Sequence, residues 1–294
     1  MSVRLGPNQY GKAENRLVHV TRNGDVHEIT DLTVSTALSG DLADTHLTGD
    51  NAKVLPTDTQ KNTVFAFAKE HGVGEIEEFA LLLARHFVES QEPIHRARIS
   101  IEQHTWERIS VDGTPAPHSF QRSGVETRTA TATYDGKQAW VVSGLQDLTV
   151  LNSTDSEFWG YPKDRYTTLP ETHDRVLATA VNAWWRHAVA EGDWAKSYAE
   201  ARRHLVEAFA QTHSLSLQQT LYAMGERMLD NRPEIAEVRL SLPNKHHFLV
   251  DLSAFGLSND DEVFYAADRP YGLIEGTILR ADDTAAASPD QAWW

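Results

Sequence analysis

A short internal similarity constrains the fold of this chain more than any other feature of its sequence. The segment from Ile94 to Ile101 (IHRARISI) resembles the segment from Ile235 to Leu242 (IAEVRLSL), and each follows a helical pattern and begins a strand-like one. Each half of the chain then has the predicted order strand–strand–helix–helix–strand–strand, which is typical of a duplicated unit. The sequence therefore predicts an α+β protein whose antiparallel sheets carry helices on one face.

Hydrophobic periodicity and turn residues place the individual elements. Asn23-Gly24 and Asp135-Gly136 predict hairpin turns, whereas Pro115 and Pro117 predict a loop. Apolar residues from Val176 to Trp185 recur at helical spacing, so we expect a helix that begins next to Arg175.

The length and composition agree with two domains. The chain has 294 residues, of which 40% are apolar and 23% charged, as in a folded protein with a substantial core. We expect a first domain over residues 1–140, a second over 141–280 and a flexible tail over 281–294. Open sheet edges need cover, and association of subunits through those edges provides it.

Charge and residue usage exclude several classes of function. The net charge of −15 repels phosphate backbones and disfavours a nucleic-acid partner. The chain has no cysteine, which removes disulfides and thiolate sites and suits a reducing compartment. Its longest apolar run, Phe79 to Ala84, is too short to span a membrane, and the N-terminus does not look like a signal peptide. We expect a soluble cytoplasmic protein without membrane partners.

Two segments of the first half carry candidate functional groups. Lys12, in Tyr10-Gly11-Lys12, is either a solvated surface charge or a lysine that moves a proton near neutral pH. Residues 56–63 (PTDTQKNT) precede a helical pattern, so Thr57 and Asp58 are N-cap candidates. The same helix N-terminus would also offer free N–H groups to an anion.

The second half contains an aromatic segment followed by a basic residue. Clustered aromatic residues such as those of Ser156–Tyr161 more often belong to a core than to a binding platform. Arg175 stands at the start of the predicted helix, where a positive charge opposes the helix dipole. This placement favours an arginine that binds an anion over a purely structural one.

The last candidate segment is Leu242–Phe248 (LPNKHHF). Pro243 indicates a strand edge or a bulge. His246 and His247 invite a metal site, but neighbouring side chains of a strand point to opposite faces. No compact ligand set accompanies them, so we expect no bound metal.

Together these segments resemble the urate oxidase (uricase) family of bacterial type, from about residue 10 to about residue 280. The matching motifs are Tyr10-Gly11-Lys12, Thr57-Asp58, Lys61-Asn62-Thr63, Leu151-Asn152-Ser153-Thr154, Phe158-Trp159-Gly160, Tyr166-Thr167-Thr168-Leu169, Asp174-Arg175, Gln218 within Ser216–Tyr222, and Ser241–His246. Two features depart from the family pattern. Leu217 stands where the family often has Val, and the chain lacks the peroxisomal signal that often ends eukaryotic members.

The resemblance implies a tandem pair of tunnelling-fold (T-fold) domains that form a barrel on oligomerisation, in a homotetramer with active sites shared between subunits. It implies oxidation of urate by O₂ and water to 5-hydroxyisourate and hydrogen peroxide in purine degradation, without metal or organic cofactor. The implied catalytic residues are Lys12, Thr57 and His246. The implied substrate-binding residues are Thr57, Asp58, Phe158, Arg175, Leu217, Gln218 and Asn244.

The chemistry of urate suits these residue types. A flat anion needs a stacking face, which Phe158 supplies, and a fork of donors, which Arg175 supplies. Gln218 both donates and accepts hydrogen bonds at one edge. Two alternatives stay open at this point: a zinc-dependent T-fold enzyme that acts on a pterin or purine, and a non-catalytic purine-binding T-fold protein.

Overall fold

The strands of the chain fall into two units, each of which combines a sheet with two long helices. The computed structural model describes residues 3–267 and 269–281. Its first unit comprises residues 3–144 and 186–195, and its second comprises residues 145–185 and 196–281 without residue 268. No helix within these described ranges is long and apolar enough to cross a membrane.

The first unit is an antiparallel sheet covered by helices. Its elements are β1 (Asn15–Asn23), β2 (Val26–Gly40), α1 (Ala43–Leu47), α2 (Thr57–His71), α3 (Ile76–Ser90), β3 (Ile94–Val111) and β4 (Thr114–Tyr134). The strand order is β1-β2-β3-β4, followed by the start of β5 (Ala139–Asn152). Helix α3 packs on β3 and β4 and buries Phe79, Leu83 and Phe87, which recur at helical spacing.

The second unit repeats this arrangement. Its elements after β5 are β6 (Leu177–His187), α4 (Trp194–Gln211), α5 (Leu217–Asn231), β7 (Ile235–Pro243), β8 (His246–Leu249), β9 (Phe264–Ala267) and β10 (Leu273–Leu279). The strand order is β5-β6-β7-β10, with β8 and β9 as a separate antiparallel pair. Helix α5 packs on β7 and β10.

The predicted duplication is confirmed at the level of element order. The sequence β1-β2-α2-α3-β3-β4 is followed by β5-β6-α4-α5-β7-β10, with α1 and the β8–β9 pair as additions. Ile94 and Ile235 each open a strand that follows a long helix, as their sequence similarity predicts. The α+β class with helices packed on antiparallel strands is therefore confirmed.

Two local predictions are wrong. Residues from Val176 to Trp185 do not form a helix, because β6 covers Leu177–His187 and nearly all of its residues are buried. A strand buried on both faces loses the alternation of polar and apolar residues and is easily mistaken for a buried helix. Pro115 and Pro117 lie within β4, beside a register irregularity of the β3–β4 pair that accommodates prolines.

The domain limits 1–140 and 141–280 stay a prediction. The structure divides after Gly144, and the short segment from Arg186 to Ala195 groups with the first unit. The predicted tail, 281–294, lies outside the described residues apart from Ala281.

Candidate active site

One cavity of the second unit collects most of the predicted site residues. Its volume is about 510 Å³. Six predicted binding or catalytic residues line it: Phe158, Arg175, Leu217, Gln218, Asn244 and His246. These residues span 89 positions of sequence, so only the fold brings them together.

The backbone of Phe158 is held by a pair of hydrogen bonds with Thr172. Its N–H donates to the Thr172 carbonyl over 2.8 Å, and the Thr172 N–H donates back over 3.0 Å. The ring stacks on Tyr161 with a centroid distance of 4.9 Å and an interplanar angle of 18°. The aromatic segment thus forms a supported platform rather than part of either hydrophobic core.

Arg175 lies above this platform. Its guanidinium carbon is 5.2 Å from the centroid of the Phe158 ring, and its Nε donates to Ser156 Oγ over 3.3 Å. Burial lowers the pKa of Arg175 from its usual value, although a guanidinium stays charged at neutral pH. The argument from a helix dipole is wrong because Arg175 precedes strand β6. The half-buried cation beside the cavity still favours an anionic ligand.

The N-terminus of α5 forms a second side of the cavity. Ser216 caps the helix by accepting from the Gln219 N–H over 3.2 Å, and Gln219 Oε1 accepts from the Leu215 N–H over 2.7 Å. The N–H groups of Leu217 and Gln218 belong to the first turn and have no partner within the helix. They are therefore available to an anion or a carbonyl edge.

Asn244 lies in the link between β7 and β8, and His246 is the first residue of β8. The backbone is held on both sides, because the Asn244 N–H donates to Gly272 over 2.8 Å and the Lys245 N–H donates to Ala178 over 2.8 Å. Burial, followed by the charge of Arg175, lowers the pKa of His246 below its usual value of 6.5. The lowered pKa favours the neutral imidazole, which can accept a proton but is a weaker base than an ordinary histidine.

Lys12, Thr57 and Asp58 belong to the first unit and do not line this cavity. The backbone of Lys12 is paired with Thr36, whose N–H donates to the Lys12 carbonyl over 2.9 Å and whose Oγ1 accepts from the Lys12 N–H over 2.9 Å. The Thr36 hydroxyl in turn donates to the fully buried Gln60 over 2.6 Å. This buried polar pair anchors Lys12 to the first turns of α2.

Residues Thr57 and Asp58 open α2 rather than cap it. Pro56 is the N-cap residue and provides no side-chain hydrogen bond, so the capping prediction is wrong. The Asp58 carboxylate turns to Lys61 and Asn62, which lower its pKa, and the charge of Lys12 lowers it further. The first N–H groups of α2 are left without a partner in the helix, which makes them donors for a ligand.

Part of the cavity wall has no binding role assigned from the sequence, where His247 enters only as a candidate metal ligand. His247, Phe248, Leu249 and Phe264 line the cavity from the β8–β9 pair. The two strands read HHFL and FYAA and do not alternate polar and apolar residues, so no local pattern marks them. Within the described residues, no group of three His, Asp or Glu side chains is arranged to hold a metal ion.

Comparisons with known proteins agree with this geometry. The family model described as Uricase matches residues 8–133 and 141–275. A curated uricase from Arthrobacter globiformis is 53% identical over 283 residues, which cover 96% of this chain and 92% of the relative. A uricase from Dictyostelium discoideum is 38% identical over 278 residues, covering 93% of this chain and 96% of the relative.

A solved structure gives the same result in three dimensions. The crystal structure of uricase from Arthrobacter globiformis superposes with a TM-score of 0.93 at 52% identity, and the match covers 98% of this chain and 99% of that one.

Proposed function

The chain belongs to the uricase family and is a urate oxidase, and from this premise we propose which residues hold urate and which move protons. Its substrates are urate and O₂, and its fold is a tandem pair of tunnelling-fold domains. One observation carries the proposal: six residues predicted from separate motifs line one cavity, with Arg175 seated above the ring of Phe158.

The cavity supplies the contacts that a planar anion requires. Urate would stack on Phe158, while Arg175 donates two parallel hydrogen bonds to one edge of the purine. Gln218 would pair with an edge that both donates and accepts, and the free N–H of Leu217 would bind a remaining acceptor. Thr57 and Asp58 would offer the N-terminal N–H groups of α2 to the opposite edge.

The reaction converts urate, O₂ and water to 5-hydroxyisourate and hydrogen peroxide. In this proposal the purine itself is the reductant once it is deprotonated, so the protein deprotonates it, holds it and keeps out bulk water other than the reacting molecule. Lys12, Thr57 and His246 form the proton relay. The Thr57 hydroxyl needs an acceptor to give up its proton, and neutral His246 and the Lys12 amine are the candidates. Asn244 would hold O₂ or the attacking water above the ring.

We place the active site between subunits of a homotetramer. Lys12, Thr57 and Asp58 lie in the first unit, whereas the cavity residues lie in the second. A two-fold axis that sets the first unit of one subunit beside the second unit of another would complete two equivalent sites. Association of this kind would also cover the open sheet edges and close the barrel.

Urate turnover is the direct test of the activity. We expect loss of urate absorbance in the ultraviolet together with stoichiometric O₂ uptake and peroxide release. Urate binding without O₂ uptake would favour the non-catalytic alternative. Turnover that disappears with a stoichiometric metal on exhaustive EDTA treatment would favour the zinc-dependent alternative.

Subunit mixing tests the shared site. Lys12→Met and Arg175→Ala are each expected to be nearly inactive. After the two are unfolded, mixed equally and refolded, about half of the dimers should be mixed, with one intact site each, so roughly a quarter of all sites should recover. If the refolded protein is shown to contain mixed oligomers but is no more active than either variant alone, each active site lies within a single chain.

The proposal includes a cytoplasmic location. Fractionation of the source cells tests it, and urate oxidation confined to a secreted fraction would contradict it.

A further inference from the structure

The carboxylate of Glu157, next to the Phe158 platform, makes three side-chain contacts that the proposed reaction does not use. Oε1 lies 2.6 Å from His213 Nε2. Oε2 accepts from Trp159 Nε1 over 2.6 Å and lies 3.4 Å from His173 Nδ1. The side chain is only 17% exposed and does not line the cavity, so it contacts protein rather than substrate.

The three contacts join three of the backbone segments that carry the proposed binding groups. Trp159 belongs to the segment of Phe158. His173 lies two residues before Arg175, and His213 lies in the connection that enters α5 at Leu217. One carboxylate therefore links the stacking face, the guanidinium and the helix N-terminus.

The backbone reinforces this link on one side. The Glu157 N–H donates to the Ser214 carbonyl over 2.7 Å, and the Ser214 N–H donates to Asp155 over 2.9 Å. Ser156 and Ser214, which form the bridge between the two segments, are fully buried. The third segment is joined to Phe158 by the pair of hydrogen bonds with Thr172 and by the Arg175–Ser156 hydrogen bond, so the carboxylate closes a ring of contacts around the platform.

We propose that Glu157 is a positioning residue for urate binding, and that the protonated form of His213 strengthens the link it makes. The inference rests on the proposed function of the cavity. Glu157 acts through Phe158, Arg175 and Gln218 and touches neither urate nor O₂. Loss of its charge should therefore weaken urate binding and leave the proton relay intact.

The ionic state of the link depends on pH in a definite direction. The hydrogen bond to Glu157, with a smaller contribution from Asp155, raises the pKa of His213 above its usual 6.5. His213, Trp159 and His173 lower the pKa of Glu157. The charge-assisted bond is thus complete below the usual pKa of a histidine and weakens as the pH rises through the raised pKa of His213. The groups that face the pair are Asp155 and His173.

Steady-state kinetics of Glu157→Gln provide the first test. The amide keeps the shape but loses the charge, so we expect KM for urate to rise on the order of tenfold with kcat within about twofold of the parent. Glu171→Gln is the matched control, because that carboxylate pairs with Lys163 and the Gly160 N–H of a single loop. An unchanged KM in Glu157→Gln, or an equal rise in both variants, would overturn the proposal.

Hydrogen exchange without substrate provides a test that does not depend on turnover. In Glu157→Gln, exchange should accelerate several-fold in all three segments (155–158, 172–175 and 213–218) together. In Glu171→Gln, acceleration should stay within the loop of residues 159–171. A change limited to residues near 157 would show that the carboxylate does not link the segments. Urate turnover by the unaltered protein tests the proposed function separately.

His213→Gln tests the role of the histidine. It also keeps the proposal testable if Glu157→Gln fails to fold. A glutamine amide still donates to Glu157 but does not titrate between pH 5 and 9. In the unaltered protein, we expect KM to rise as the pH increases through the pKa of His213, as located by NMR titration of its ring. In His213→Gln, that step of the KM profile should disappear while the remaining steps persist. Retention of the step would refute the role of His213.

Discussion

The two long helices that open beside functional residues, α2 and α5, are the first long helix of one unit and the second of the other, and they begin differently. Helix α5 is capped by Ser216, and Gln219 returns a hydrogen bond to the residue before the cap. Helix α2 follows Pro56 and has no side-chain cap, and its first carboxylate, Asp58, is held by Lys61. The first turn of α5 has its own side-chain cap. The start of α2 is instead held by Tyr10, whose hydroxyl donates to the Leu55 carbonyl before the helix, and by Thr36, which donates to Gln60 of the helix.

The two units therefore place different helices of the repeat beside their candidate functional residues. In the second unit, the helix N-terminus joins an aromatic ring and an arginine around a cavity suited to a planar anion. In the first unit, the N-terminus of α2 lies beside Lys12, whose charge acts on Asp58. In the proposed function, the second unit would supply the binding surface and the first would supply the group for proton transfer. The following variants separate the two contributions, beginning with the largest expected effect.

Lys12→Met should lower kcat by about 10² to 10⁴-fold, the range typical of a lost general acid or base, with little change in KM. The side chain keeps its length but loses the amine. Steady-state kinetics with urate measure how the loss divides between kcat and KM. Lys69→Met, in the exposed last turn of α2, is the control and should leave both kcat and KM unchanged. A parental kcat in Lys12→Met would remove the first unit from the chemistry.

Arg175→Ala should raise KM for urate by about 10²-fold, because charge-assisted hydrogen bonds contribute on the order of 1.5–3 kcal/mol each. Anaerobic titration with urate measures the dissociation constant directly. Arg165→Ala is the control, since Arg165 contacts the ring of its neighbour Tyr166 on the exposed loop. An equal loss of urate affinity in both variants would indicate a general effect of charge rather than paired hydrogen bonds from Arg175 to urate.

Gly11→Ala should destabilise the first unit and misplace Lys12. A Cβ at this position would lie 1.7 Å from the Thr36 carbonyl oxygen, so the strand pairing must shift. We expect the free energy of unfolding to fall by about 1–3 kcal/mol, which is measured as a lower melting temperature. We also expect a reduced kcat. Gly6→Ala, where nothing lies within 4 Å, should leave both unchanged. A silent Gly11→Ala would contradict the tight anchoring of Lys12.

Ser216→Ala should have the smallest effect, about 1 kcal/mol of stability, because it removes the cap of α5. We expect a modest rise in KM, since the N–H groups of Leu217 and Gln218 lose orientation, and no change in kcat. Chemical denaturation and steady-state kinetics measure the two effects. The matched change Thr59→Ala, in the uncapped first turn of α2, should have a smaller effect on stability. The opposite order would refute the contrast between the two helix starts.

The order of elements apart from β6, and the motifs that line the cavity, could be predicted from local sequence. Ile94 and Ile235 reveal the repeat because a strand that packs on a helix needs the same pattern wherever it occurs. The Tyr10-Gly11-Lys12 motif could also be identified without coordinates, although the reason for its glycine could not. That reason is the approach of the Thr36 carbonyl, which comes from a distant strand.

The nature of β6 and the carboxylate that supports the platform required the tertiary structure. Seven of the eleven residues from Leu177 to His187 are apolar and nine are buried, and only burial on both sides of the strand distinguishes it from a helix. Glu157 lies 56 residues from His213 in the chain, and no local pattern relates them. Backbone propensity and hydrophobic period act over a few residues, so they encode the elements. Hydrogen bonds between distant side chains exist only once those elements have packed.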